Sequence, residues 1–487
     1  MASNDSLHRA EGLRVRPRIG VFGIGLAAYW PQFPGLKERL ERYQGEVEKR
    51  LAASGAEVVS AGLVDDAPGA MRASEQFARD GVALLVCYVG TYATSSQVLP
   101  AVQRSGARVL VLNLQPAPAL DYETADTGEW LAHCSACCVP EISNAFARAR
   151  IPFHVVSGML FEDGPWWCDV AEWCAAAGVA EGLRRARIGF LGHTYPGMLD
   201  MYSDFTMVQA QTGAHIEVLE MCDLARRLPD SGDSDAGAKL EEARALFDVA
   251  ESVREEDLLW AARVACAVDR LVADFDLAGL TYYYRGLDGN EYERLTAGLI
   301  LGNSMLTARG IPASGEGDLK TCLAMLILDR LGAGGSYTEF YAMDFRENFL
   351  LMGHDGPGHI AISDRKPLLR GLGLYHGKRG HGVSVEFKVR LGPVTILAMT
   401  QTAEGGLKML AAEGESIPGP ILRIGNTNSR LKFALSPAEF VNAWCAEGPT
   451  HHCALGVGHV TATLRKLSAL LGIPLAEPAR TSRPPLP

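Results

Sequence analysis

The feature that most constrains the fold of this chain is a short apolar pattern that occurs twice. Residues 18–23 read Arg-Ile-Gly-Val-Phe-Gly, and residues 187–192 read Arg-Ile-Gly-Phe-Leu-Gly. A loop and a helical stretch follow each copy, as they follow the first strand of a wound α/β sheet. The repeat therefore predicts two doubly wound α/β domains in series.

Several other apolar runs lack alternation, which is typical of parallel strands that helices cover on both faces. In the first domain these runs are 82–88, 108–114 and 152–156, and in the second they are 216–221 and 277–283. Charge spacing and composition predict helices over 36–54, 166–185 and 319–331, and a polar helical region over 236–272.

The pattern changes after the glycine-rich segment 332–335. Alternating apolar and polar residues separated by turn signals predict the strands 384–390, 394–400, 421–423 and 430–433. An amphipathic helix over 460–471 closes this part. Such a series predicts an antiparallel sheet or barrel rather than a third wound unit.

The predicted fold is thus α/β, with two doubly wound parallel-sheet domains followed by a β-rich, antiparallel barrel-like C-terminal domain. The predicted parts are a flexible tail over 1–17, an N-terminal α/β domain over 18–185, a central α/β domain over 186–333, a C-terminal β-rich domain with its closing helix over 334–475, and a flexible tail over 476–487.

Composition excludes several classes of function. The 487 residues carry a formal net charge of −11, which argues against a nucleic-acid partner because that would need clustered lysine and arginine. The sequence has no run of about twenty apolar residues, and residues 1–18 lack the apolar core of a secretory signal. We therefore expect no membrane association and a cytoplasmic protein whose eleven cysteines are reduced.

Polar chemistry is concentrated in four segments, which are 315–321, 336–344, 351–359 and 449–459. Each segment alone has a simpler structural explanation. Glu316 and Asp318 can cap the following helix, Glu339 can lie half-exposed on a strand edge, and His354 can be a hydrogen-bonded loop residue.

Together the four segments supply two carboxylates and two histidines from strand and helix ends. A mixed set of this kind with open positions suits a hard divalent ion such as Mn²⁺ or Mg²⁺ better than a thiolate-bound one. A divalent ion can bind adjacent oxygens of a substrate, and a nearby carboxylate can move a proton between neighbouring carbons. That combination is the chemistry of aldose–ketose isomerisation.

These four segments resemble motifs of the L-arabinose isomerase and L-fucose isomerase superfamily. Gly-Glu-Gly-Asp at 315–318 is similar to the segment with the first acidic ligand, and Ser-Tyr-Thr-Glu at 336–339 to the motif with the second. Met-Gly-His at 352–354 and Pro-Thr-His-His at 449–452 resemble the two histidine motifs. Glutamate at 339 follows the arabinose branch. The spacing from His451 to His459 follows the fucose branch and favours His451 over His452 as the ligand.

The resemblance implies a metal-dependent isomerase of a free, L-arabinose-like sugar. The ion, Mn²⁺ or another divalent cation such as Mg²⁺ or Co²⁺, would be held by Glu316, Glu339, His354 and His451. The two glutamates would be catalytic: one takes the proton from C2 of the open-chain sugar, and return of a proton to C1 of the resulting cis-enediol gives the ketose. Which glutamate is the base stays open.

The resemblance also implies a homo-oligomer, a trimer or hexamer, with active sites near subunit contacts. Gln97 and Gln115 are expected at strand ends of the first domain, where they would reach the sugar of a neighbouring subunit. His452 is the third predicted substrate-binding residue.

Three alternatives remain beside this interpretation. One is an isomerase of the L-fucose or D-arabinose type, and another is a non-catalytic sugar-binding protein that keeps the same fold. A metal-dependent hydrolase is disfavoured because the sequence shows no additional acidic cluster of the two-metal type.

Overall fold

The computed structural model describes residues 15–478, except residues 288, 373, 376, 377, 380 and 381. Residues 1–14 of the predicted N-terminal tail and residues 479–487 of the predicted C-terminal tail lie outside the described residues. The chain divides into two compact units, one formed by residues 15–181 and one that begins at residue 182.

The first unit contains a parallel sheet whose strand order is β2-β1-β3-β4-β5. Its strands are β1 (Arg18–Ile24), β2 (Glu57–Val64), β3 (Leu84–Tyr88), β4 (Arg108–Gln115) and β5 (Phe153–Met159). The helices of this part are α1 (Leu36–Ala53), α2 (Ala67–Asp80), α3 (Ser95–Val102), α4 (Thr127–Leu131), α5 (Ser135–Arg148) and α6 (Pro165–Arg185), of which α6 continues into the second unit. The order reverses between β1 and β3, which is the topology of a doubly wound sheet.

The second unit begins with another parallel sheet, in the order β10-β9-β6-β7. Its strands are β6 (Arg187–Gly192), β7 (His215–Leu219), β9 (Gly279–Tyr283) and β10 (Ala313–Ser314). The helices around it are α7 (Phe205–Thr212), α8 (Met221–Ala225), α9 (Ser234–Leu246), α10 (Glu255–Phe275), α11 (Glu293–Ala308) and α12 (Leu319–Arg330). The repeated apolar pattern thus forms β1 in one unit and β6 in the other.

The C-terminal part is an antiparallel barrel of six strands. They are β11 (Ser336–Asp344), β12 (Phe349–His354), β17 (Gly392–Gln401), β18 (Leu407–Ser416), β19 (Thr427–Phe433) and β20 (His452–Val457). The order is β17-β20-β11-β12-β19-β18, and pairing of β18 with β17 closes the barrel. The predicted fold class, two wound α/β sheets followed by a β-rich barrel, is therefore confirmed.

Smaller elements complete the second unit. The strands are β8 (Asp248–Val249), β13 (Leu368–Gly371), β14 (Leu374–Tyr375), β15 (Lys378–Arg379), β16 (Val383–Glu386) and β21 (Leu475–Ala476), and the helices are α13 (Pro437–Cys445) and α14 (Thr461–Leu471). Three-residue 3-10 turns span Ala27–Tyr29, Leu199–Met201 and Ile360–Ile362. In the part of the chain that the structure describes, no helix is long and apolar enough to cross a membrane.

Four local predictions differ from the structure. The predicted strand 421–423 is wrong: these residues are irregular, because Pro420 has no N–H to donate and Gly419 has a φ of +139°. The helical region 236–272 is two helices, because the buried Phe247 ends α9 in an extended conformation. The strand predicted over 384–390 ends at Glu386, and Ala476, predicted to lie in the tail, pairs with Leu410 of β18.

One apolar core fills the barrel and extends to the helices packed beside it. It contains residues of β12, β17, β18, β19 and β20 together with residues of α11 and α13. The adjacent strands β20, β11 and β12 are hydrogen-bonded side by side, and α12 packs against β20 and β11. The ends of these strands and the start of α12 carry the four polar segments that the sequence singled out.

Candidate metal centre

The turn that presents Glu316 connects β10 to α12. Glu316 and Gly317 both have positive φ, +61° and +70°. The backbone is fixed from two sides, because Gly317 N donates to Tyr282 O at 3.0 Å and Tyr195 N donates to Glu316 O at 2.9 Å. Only glycine fits at 317, since a Cβ there would lie 2.5 Å from the carbonyl oxygen of His193.

Asp318 begins α12 and is fully buried. Its carboxylate accepts the backbone N–H of Thr321 at 3.0 Å and the Thr321 hydroxyl at 2.7 Å, and its Oδ2 lies 3.1 Å from His452 Nδ1. Burial by itself would raise the pKa of Asp318, but the hydrogen bonds from His452 and Thr321 hold that pKa below its ordinary value. Asp318 is therefore an ionised carboxylate that faces an imidazole.

The hydrogen-bond network determines which nitrogen of His452 carries the proton. Besides Asp318, Tyr337 lies beside this ring, with its hydroxyl 2.6 Å from His452 Nδ1 and 3.3 Å from the carbonyl oxygen of Gly315. The Gly315 carbonyl accepts the tyrosine proton, so the proton on the other side belongs to Nδ1 of His452. The Nε2 lone pair is then available to a cation, as in other carboxylate–histidine–metal arrangements.

The Glu316 carboxylate lies between two imidazoles. Its Oε2 is 3.8 Å from His452 Nε2, and its Oε1 is 4.0 Å from His354 Nε2. Among the described residues the buried Oε2 has no hydrogen-bond partner. Burial raises the pKa of Glu316. A buried carboxylate oxygen without a partner beside imidazole nitrogens fits a bound divalent cation, because a cation would supply the missing interaction.

His354 and Glu339 lie on the strands next to this turn. His354 ends β12, is 3% exposed, and has its ring centroid 5.0 Å from that of His452. Glu339 is half-buried in β11, where its neighbours across the sheet are Gly353 and His452. Its negative charge contributes to the raised pKa of Glu316, so the two carboxylates lie within electrostatic reach.

His451 is the exposed member of the histidine pair. Both its backbone N and its Nδ1 contact Oδ2 of Asp200, at 2.9 and 2.7 Å. Although partial burial of Asp200 acts in the opposite direction, these hydrogen bonds lower its pKa to about 2. Glu316, His451 and His452 each offer a ligand atom, and these three atoms all lie within 4.8 Å of one another.

The structure thus brings Glu316, His354, His451 and His452 together. It places Glu339 on β11, which lies between the strands of His354 and His452. The choice between His451 and His452 as ligand stays a prediction. Of the predicted substrate contacts, Gln115 does end β4, and its amide donates to Ala117 O at 2.6 Å. Gln97 lies in the first turn of α3 rather than at a strand end, and its amide donates to Asp65 O at 2.7 Å. Their role stays a prediction as well.

Sequence reasoning missed three residues whose side chains contact the histidines of the candidate metal centre. Asp318 does cap α12, as expected for its position, but its contact with His452 was not foreseen. Tyr337 lies inside a segment that was singled out, between two residues of the Ser-Tyr-Thr-Glu motif. Asp200 gave no signal, because it lies in the short 3-10 turn Leu199–Met201, far along the chain from His451.

Fold and site together define a class of protein: a wound α/β chain whose C-terminal barrel carries a carboxylate–imidazole centre suited to a divalent cation. Comparison with known proteins narrows this class. The family model described as the L-arabinose isomerase C-terminal domain matches residues 334–474, which include Glu339, His354, His451 and His452.

Relatives extend the similarity beyond that domain. An L-arabinose isomerase of Acidothermus cellulolyticus is 25% identical over 428 residues, which are 85% of this chain and 84% of that protein. An L-arabinose isomerase of Tolumonas auensis is 22% identical over 357 residues, 67% of each chain. A sulfoquinovose isomerase of Alkalicoccus urumqiensis is 27% identical over 176 residues, 36% of this chain and 39% of that protein. The chain is thus L-arabinose isomerase-like: its C-terminal part matches the family model, and its similarity to L-arabinose isomerases extends over most of its length.

Proposed function

We propose that this sugar isomerase interconverts a free, L-arabinose-like aldose and its ketose with the help of a divalent cation. The relatives named above are isomerases of sugars, which supports the class of reaction. Metal dependence and the substrate are our own proposals, and they rest on the chemistry of the candidate centre.

One observation carries the proposal. The buried Glu316 Oε2 lacks a hydrogen-bond partner among the described residues, yet it lies 3.8 Å from a histidine nitrogen whose ring is oriented by an ionised aspartate. An isolated structural carboxylate would be expected to have its oxygens hydrogen-bonded. The arrangement instead suits a cation shared by the carboxylate and the imidazoles.

We propose that Glu316, Glu339, His354 and His451 hold the cation, and the closeness of His452 Nε2 to the Glu316 carboxylate supports His452 as a further candidate ligand. Oxygen and imidazole ligands suit Mn²⁺, with Mg²⁺ or Co²⁺ as alternatives. When bound, such a cation polarises adjacent oxygens of the sugar and stabilises the negative charge that develops on them.

The two glutamates carry the proton chemistry. One carboxylate takes the proton from C2 of the open-chain aldose, and a proton is returned to C1, while the other carboxylate serves the O1 and O2 side. The pKa of Glu316 is raised and so lies closer to neutral pH than that of an ordinary glutamate. A carboxylate with such a pKa is a more effective base and, once protonated, a usable acid. The buried rings of Tyr337, His354 and His452 limit access of water to this carboxylate.

A panel of aldopentoses and deoxyhexoses tests the proposal. We expect ketose formation from at least one aldose with added Mn²⁺, loss of that activity after treatment with a chelator, and its recovery when Mn²⁺ is restored. In D₂O the sugar should incorporate solvent deuterium at the carbon that receives the proton. Sugar binding without ketose and without deuterium would replace the isomerase with the sugar-binding alternative.

The assembly is a separate proposal. We expect a homo-oligomer, a trimer or hexamer, in which Gln97 and Gln115 of one subunit contact the sugar of another. Light scattering on the purified chain measures the mass. A catalytically active monomer would contradict the proposal.

A further inference from the structure

We infer that Tyr337 is the positioning residue of the candidate metal centre, holding the Glu316 turn and two histidines at their spacing. This inference rests on the proposed function for the identity of the ligand, a divalent cation. The contacts that support it concern the chain's own residues. Three kinds of contact converge on this one phenol.

The first contact is through the hydroxyl. It donates to the carbonyl of Gly315, the residue before Glu316, and it accepts from Nδ1 of His452 at 2.6 Å. Tyr337 is fully buried, so its hydroxyl makes both contacts away from solvent. One hydroxyl therefore connects the backbone of the Glu316 turn to the proton-bearing nitrogen of a histidine.

The second contact is through the ring. Its centroid lies 4.4 Å from the centroid of His354 with an interplanar angle of 61°, and 4.4 Å from that of His452 with an angle of 41°. The phenol thus packs against both imidazoles, whose own centroids are 5.0 Å apart. Aromatic pairs at such distances have preferred geometries, so the ring restricts how either imidazole can turn.

The third contact is through the strand. Tyr337 lies in β11 opposite Ala454 of β20, and Glu339, two residues later, lies opposite His452. Because residues two apart on a strand share a face, Tyr337 and Glu339 are on the same side of β11. A single side chain therefore contacts Gly315, His354 and His452 and shares its strand face with Glu339.

The test is the affinity of the full-length protein for Mn²⁺. Chelator-treated protein is titrated with Mn²⁺, and free ion is measured by electron paramagnetic resonance. Tyr337→Phe keeps the ring and removes the hydroxyl. We expect its affinity to fall about 10- to 100-fold, the usual effect of removing a partner that orients a metal-binding histidine.

The matched control is Tyr88→Phe. Tyr88 is also buried and its hydroxyl also donates to a carbonyl, that of Leu114 at 3.4 Å, but it lies in the first unit. We expect both variants to lose similar thermal stability without metal, and Tyr88→Phe to bind Mn²⁺ like the unmodified protein. Unchanged affinity in a folded Tyr337→Phe would overturn the inference, as would an equal loss in both variants.

Tyr337→Leu removes the ring as well, so we expect a larger loss of Mn²⁺ affinity than in Tyr337→Phe. If either variant fails to fold, the other is compared with Tyr88→Phe in the same way, and wild-type affinity in it overturns the inference. In activity assays excess Mn²⁺ should restore the turnover of Tyr337→Phe with little change in KM for the sugar. Turnover that stays low at saturating Mn²⁺ would show that the hydroxyl acts in the reaction itself and would overturn a positioning role.

A different result would contradict the proposed function rather than the positioning role of Tyr337. If the unmodified protein itself does not bind Mn²⁺, Mg²⁺ or Co²⁺, the proposed function is wrong whatever the variants do.

Discussion

Replacing Asp318 by asparagine should separate metal binding from folding at this site. Asp318 is fully buried and accepts hydrogen bonds from the backbone and the hydroxyl of Thr321 and from Nδ1 of His452. In Asp318→Asn the amide oxygen can still accept from Thr321. The amide NH₂ then faces the N–H of His452, which places two donors against each other.

His452 must respond to that change. With only the Tyr337 hydroxyl left to accept from Nδ1, the repulsion favours an imidazole that turns away or moves its proton to Nε2, and in both cases Nε2 no longer presents a lone pair beside Glu316. Loss of such an orienting partner costs about 10- to 100-fold in metal affinity. That loss equals about 1.4 to 2.7 kcal/mol of binding free energy.

Folding should suffer less than metal binding. Asparagine is as good an N-cap as aspartate, so α12 keeps its start, and we expect the metal-free unfolding free energy to change by no more than about 1 kcal/mol. Titration with Mn²⁺ and urea unfolding of the metal-free protein measure the two quantities separately.

The matched control is Asp204→Asn. Asp204 caps α7 by accepting the backbone N–H of Met207 at 3.1 Å. The substitution Asp204→Asn should leave Mn²⁺ affinity unchanged. Asp318 does not orient His452 for metal binding if Asp318→Asn binds Mn²⁺ as tightly as the unmodified protein, or if Asp204→Asn weakens binding equally.

Three further predictions concern the glutamates, the turn and a distant ion pair. Glu316→Gln and Glu339→Gln should each abolish ketose formation and leave the circular dichroism spectrum unchanged; near-normal turnover in either would discard its assignment. Gly317→Ala should lower the unfolding free energy by about 1 to 3 kcal/mol, because the residue has a φ of +70° and no room for a Cβ; a melting temperature equal to that of the unmodified protein would contradict this. In the first unit, hydrogen bonds from Arg39 hold the pKa of Glu129 below its ordinary value. This pair stabilises the fold above the ordinary glutamate pKa, and the effect is lost as the pH falls through the lowered pKa. Urea unfolding should therefore show a smaller loss of stability on acidification in Glu129→Gln, and identical pH profiles would count against the pair.

The elements that the sequence predicted well depend on local patterns. The apolar runs that became β3 and β4 have no alternation because both faces are covered, and the alternating segments 394–400 and 430–433 became parts of β17 and β19. The edge strand β2 was not predicted, because Ser60 and Gly62 interrupt its apolar residues and most of the strand is only partly buried. A partly buried edge strand needs no continuous apolar run, so it leaves a weak signal in the sequence.

By itself, then, the sequence determined the wound sheets, the barrel and the chemical types of the candidate ligands. Only the tertiary structure decided which side chains contact and orient those candidate ligands. Asp318 meets His452 across 134 residues of chain, and Asp200 meets His451 across 251. Strand and helix patterns follow from burial and repeat every few residues, so they can be recognised locally. The proton on His452, the strained turn at Glu316 and the ring of Tyr337 between two imidazoles depend on distances between segments that the order of residues does not contain.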